Sequence, residues 1–144
     1  MRLSLALSLW LLAAPVAAWE FTPVPVCTLS HSAEGAALRV TYDPRLDLPY
    51  ALTLSGPVPW PEAPSFAIRF EGGLALTIVT REHRRSEDGT TLTVTDRGFG
   101  NVLNGLEFNA TATALLGELA VPFGLAGAAG PVREFRACAV PAVS

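Results

Sequence analysis

Two cysteines constrain this chain more than any other feature. Cys27 and Cys138 stand near its opposite ends. If they join, segments about 110 residues apart must meet, which excludes any fold that holds those two regions apart. The chain-entropy argument credits such a closure with about 4–5 kcal/mol. An even pair in an exported protein reads as one disulfide, whereas cytosolic thiols stay reduced. The other reading is a reactive thiol, which needs a cationic and partly exposed setting, and Arg136 alone supplies a charge for one.

The compartment therefore decides, and the first eighteen residues point to export. Arg2 supplies a positive start, Leu3 to Leu12 is an apolar run broken only by Ser4 and Ser8, and Pro15 breaks any helix. Val16-Ala17-Ala18 then offers small residues at a cleavage position. This pattern is read as a secretory signal peptide over 1–18. Its apolar run falls short of the roughly 20 residues a membrane span needs. The expectation is a periplasmic or secreted protein with no membrane span after cleavage, and 19–144 as a single β-rich domain. Half the residues are hydrophobic and 16% are charged, which excludes a disordered chain and suits one domain with its own core. The formal net charge is −3 and every cation is Arg. No basic excess or stripe is present, so no nucleic-acid partner is expected.

Alternation of apolar and polar residues marks the elements. Trp19 to Val26 carries Pro23 and Pro25, which suits an extended edge segment. Ala36 to Asp43 sets Leu38, Val40 and Tyr42 on one face, and Tyr50 to Leu54 repeats the pattern. The proline-rich GPVPWPEAP follows, stiff and extended. Phe66, Ile68 and Phe70 share a face of the next strand, and Gly72-Gly73 offers a turn into Leu74 to Arg81. Asp88-Gly89 is a hairpin signal between that arm and Thr90 to Thr95. In a two-residue hairpin there, His83 faces Val94 and Arg81 faces Asp96. The stretch 102–116 reads equally as a short helix or a strand. Glu118 to Leu125 reads as a strand, and Pro131 to Cys138 as a short helix with Pro131 in its first turn. The fold class is mainly β: a small antiparallel β-sandwich or barrel with one or two short helices, the last near the C-terminus.

The chemistry is sparse. Arg81, His83, Arg84 and Arg85 form the densest cationic cluster. It serves either as a solvated hairpin arm or as a grip for an anion or carboxylate, with Glu82, Glu87 and Asp88 diluting the charge. His31 stands four residues after Cys27, but two His and two Cys do not make the four ligands of a structural zinc site once the cysteines oxidise. No G-x-S-x-G elbow supports a serine triad, and no phosphate-binding glycine motif is present, so no catalytic set, metal or cofactor is implied. Asn109-Ala110-Thr111 matches a glycosylation sequon and is taken as chance. Trp60, flanked by Pro59 and Pro61, either caps the end of the sandwich or stands exposed as a binding residue.

Four stretches, WEFTPVPVCTLSH, TYDP, LTVTDRGFGNVLNGLEFN and GLAGAAGPVREFRAC, resemble a small family of exported proteins of alphaproteobacteria, mainly marine rhodobacters, over nearly all of the mature chain. The resemblance implies export and brings no catalytic residue with it. Some members bear the label of the excinuclease ABC helicase, which implies an ATPase with a phosphate loop; this sequence has no such loop. The closing strand–loop–helix–Cys pattern is also similar to the end of the invasion-associated locus B proteins. The functional expectation is a non-enzymatic binding or envelope-accessory module whose partner is a protein or envelope component. Two alternatives stand beside it: a small hydrolase using His83 or His31 with nearby carboxylates, and an inhibitor or chaperone-like module presenting the Trp60 loop.

Overall fold

A computed structural model describes residues 18–140. The expected leader over 1–18 lies outside the described residues, apart from Ala18. Ten strands and two helices follow in chain order among the described residues: β1 (Glu20–Thr22), β2 (Cys27–Ala33), β3 (Ala36–Tyr42), β4 (Tyr50–Ser55), β5 (Phe66–Glu71), β6 (Leu76–Thr80), β7 (His83–Arg85), β8 (Thr91–Asp96), α1 (Gly100–Phe108), β9 (Thr111–Leu116), β10 (Leu119–Gly124) and α2 (Ala129–Cys138). They build a six-stranded sheet in the order β1-β2-β3-β4-β8-β7 and a four-stranded sheet in the order β10-β9-β5-β6. Every pairing is antiparallel. Each sheet keeps two free edges, so the architecture is a sandwich and not a closed barrel.

Period-two patterning makes this core. In β3 the residues Ala36, Leu38, Val40 and Tyr42 are buried while Arg39 is exposed. Phe66, Ile68 and Phe70 do the same in β5, and Ala112, Ala114 and Leu116 in β9. An apolar face on each sheet is removed from water only when the two faces close on one another. Strand β2, which the sequence pattern did not mark, turns Cys27, Leu29 and His31 inward. The disulfide Cys27–Cys138 then ties α2 to β2, with a Cα–Cα distance of 5.9 Å.

The ambiguous stretch 102–116 contains both elements: most of α1, then β9. Gly105 hides the helix from propensity, since glycine in a helix interior is about 1 kcal/mol worse than alanine. Its presence has a packing reason. A Cβ at Gly105 would overlap ring carbons of Phe70, which is fully buried. Only a bare backbone lets α1 close this end of the sandwich. The opposite end is closed by Trp60, 1% exposed, from the proline-rich segment.

One expected element is divided. The arm from Leu74 through the Asp88-Gly89 turn does not form a single hairpin strand. Strand β6 pairs with β5 in the small sheet, the chain turns at Arg81–Glu82, and β7 pairs with β8 in the large sheet. His83 does face Val94. The expected facing of Arg81 and Asp96 is absent, because the chain is between sheets at residue 81. A local hydrogen bond makes the bend: the Glu82 N–H donates to Thr80 Oγ1 at 3.1 Å. The strand thus switches sheets at a corner, as sandwich strands do at their margins.

Candidate functional site

The residues singled out in the sequence fall into separate groups. Trp60, His83 and Arg85 come together as a strut between β7 and the proline-rich segment. The Arg85 guanidinium donates to the Trp60 carbonyl (2.9 Å) and to Glu62 Oε1 (3.1 Å). His83 Nε2 donates to the Ala63 carbonyl at 2.9 Å, and its Nδ1 is buried without a partner. The Trp60 amide donates to the Gly89 carbonyl (2.7 Å), and its indole N–H to the Leu54 carbonyl (3.2 Å). These bonds satisfy backbone groups of a segment rich in prolines, which has few donors of its own. The presented-loop expectation for Trp60 is therefore corrected. Its ring is an end cap of the core, because a large apolar ring gains more by burial than by exposure.

The hairpin tip beside this strut is set by Asp88. Its carboxylate accepts from the Thr90 hydroxyl (2.8 Å), the Thr90 amide (3.1 Å) and the Ser86 hydroxyl (2.8 Å). Those bonds, led by the Thr90 hydroxyl, hold its pKa below the ordinary carboxylate value. Arg84 lies on the other face of β7, opposite Thr93, and is exposed. Arg81 stands exposed at the corner. The three arginines consequently do not converge on one anion.

His31 sits in β2, buried at 8% exposure and stacked on Trp19 with ring centroids 4.6 Å apart. The Trp19 indole N–H donates to the Gly124 carbonyl of β10, tying the two sheets together on that side. Four strand spacings separate β2 from β7 in the large sheet, roughly 19 Å. His31 and His83 therefore serve different places, and neither ring is hydrogen-bonded to a carboxylate among the described residues. No three His, Cys, Asp or Glu gather to hold a metal ion among those residues either. Asn109 faces inward, its amide donating to the carbonyls of Leu74 and Gly105, so it anchors the end of α1.

A cleft of about 840 Å³ lies between β6 and β8. Buried Leu52, Phe66, Ile68 and Phe99 line it together with half-buried Ile78 of β6 and Val94 of β8. Arg81, Glu82 and Asp96 stand at the rim, and the first turn of α1 closes one end. The cleft exists because the chain changes sheets at 81–82, and β7 is only three residues long. The inner face of β6 is left without a full strand opposite it, and Leu76 and Ile78 stay only half-buried. Sequence reasoning did not find this site. Its one visible trace is LALTIVT, which carries apolar residues on both faces where a half-buried strand alternates.

This chain gives no match among protein-family models, curated proteins or solved structures.

Proposed function

We propose that this chain is an exported, non-enzymatic binding module, kin to the alphaproteobacterial exported proteins it resembles. Its recognition surface is the cleft between β6 and β8, and its partner is a protein or envelope component that presents an apolar group. The open cleft carries this reading. A sandwich of this size ordinarily seals its apolar faces; here buried Leu52, Phe66 and Ile68 line an open cleft together with half-buried Ile78 and Val94. Ligand sites are concave and combine apolar lining with a few polar groups; this cleft sets apolar Ile78, Val79 and Val94 beside Arg81, Glu82, Asp96 and Asn101. The disulfide supports the compartment, since such bonds persist where the surroundings are oxidising. No helix among the described residues is long and apolar enough to cross a membrane.

Native mass spectrometry of the protein drawn from its host envelope tests the reading, with Ile78→Lys run beside the natural chain. Ile78 lies on an edge strand and is half-buried, so lysine there fills the cleft with charge while its stem remains near the surface. A companion other than a second copy of this chain that travels with the natural chain and is absent from a folded Ile78→Lys variant supports the proposal. A companion retained by both places the binding surface elsewhere, and a lone chain in both removes the proposed role.

A further inference from the structure

The two sheets present four edges, and three of them are guarded. Strand β1 has three residues and runs into Pro23 and Pro25. Strand β7 also has three, two of them arginine. Strand β10 carries Pro122 at its middle, where no amide is available to a neighbour. Strand β6 is different. Its sequence LTIVT has no proline and no charge, and its far side has no neighbour in the sheet. Val79 is 63% exposed and Thr77 is exposed as well. Natural edge strands usually carry a lysine, a proline or a bulge against pairing, and this one carries none.

We propose that the β6 edge is the contact between two copies of this chain, joined as an antiparallel pair about a two-fold axis at Ile78. A single unguarded edge decides the stoichiometry. Two such edges on one sheet would propagate a filament, whereas one is used up by its own image and closes a dimer. The strand is complementary to itself in this register. Ile78 meets Ile78, Leu76 meets Thr80, and Thr77 meets Val79 of the other copy. These are β-branched and aliphatic pairs of the kind that stabilise adjoining strands. The flanking charges do not oppose one another: Arg81 falls opposite Ala75, and Glu82 opposite Leu74. The two four-stranded sheets become one sheet of eight. This assembly does not depend on what the cleft binds.

Sedimentation of the oxidised chain from micromolar to millimolar concentration, with amide exchange followed by NMR, tests it. The expected result is a concentration-dependent dimer in which the amides of Leu76–Thr80 become protected on association. The double variant Thr77→Lys/Val79→Lys changes exposed side chains only and sets lysine against lysine twice across the axis. It should weaken dimerisation on the order of tenfold or more. Mixing it with Thr77→Glu/Val79→Glu should restore a mixed dimer, an outcome that a merely misfolded variant cannot produce. A chain that stays monomeric at millimolar concentration overturns the proposal. So does a dimer whose strength ignores the lysines, or one whose protected amides lie outside β6.

Discussion

Replacing Trp60 with alanine separates an end cap from a presented ring. A presented Trp60 would leave stability almost unchanged on truncation. The structure makes the opposite demand, because the indole is 1% exposed and the residue is pinned from three directions. A buried tryptophan removes roughly 150–250 Å² from water. At about 25 cal/mol per Å² this amounts to about 4–6 kcal/mol, an upper figure because denatured chains already hide part of that surface. Truncations of this kind lose about 3–5 kcal/mol. For a domain of this size that corresponds to a fall in Tm of about 10–20 °C. Urea unfolding followed by far-ultraviolet circular dichroism is the assay, since tryptophan emission would itself change. Trp60→Phe keeps most of the ring and loses the bond to the Leu54 carbonyl, so it should fall by only about 1–2 kcal/mol. A Trp60→Ala variant within about 0.5 kcal/mol of the natural chain would refute the end-cap assignment.

Three further outcomes follow from the same contacts. Cys27→Ser/Cys138→Ser should lose stability, up to about 5 kcal/mol on the chain-entropy argument, since the bond spans 111 residues; urea unfolding showing no loss would mean that other contacts already fix the two ends. Arg85→Ala should lose about 1–2 kcal/mol by leaving the Trp60 carbonyl unpaired, whereas Arg84→Ala on the exposed face should stay within about 0.5 kcal/mol; equal losses in thermal unfolding would contradict the division of β7 into two faces. Asp88 is held below its ordinary pKa in the folded chain, so its contribution is present above the ordinary carboxylate value and disappears as pH falls through the folded value, below about pH 4. Carbon NMR titration of its carboxyl should give a low midpoint, and an ordinary midpoint would dissolve that linkage.

The sequence by itself determined the local material and one long-range tie. Alternation in 36–43, 50–54 and 65–71 marks strands because side chains on a pleated strand change face at every residue. Parity of cysteines, with the export pattern, pairs Cys27 with Cys138, and Pro131 opens the final helix. The register of His83 against Val94 follows from the Asp88-Gly89 turn. What the sequence left undecided depends on which surfaces meet. The state of 102–116 stays undecided in sequence, and Gly105 has no reason there until the ring of Phe70 is found where its side chain would be. Trp60 among prolines reads as a cap by default and as an exposed contact otherwise, until Arg85, Gly89 and Leu54 are seen to hold it. Residues 74–85 form one apolar-to-charged arm in sequence. Only the assembled sheets divide that arm at 81–82, leaving β6 with a bare edge and the cleft beside it. Edges and clefts are relations between distant strands, and a periodicity read along one strand has no access to what lies across from it.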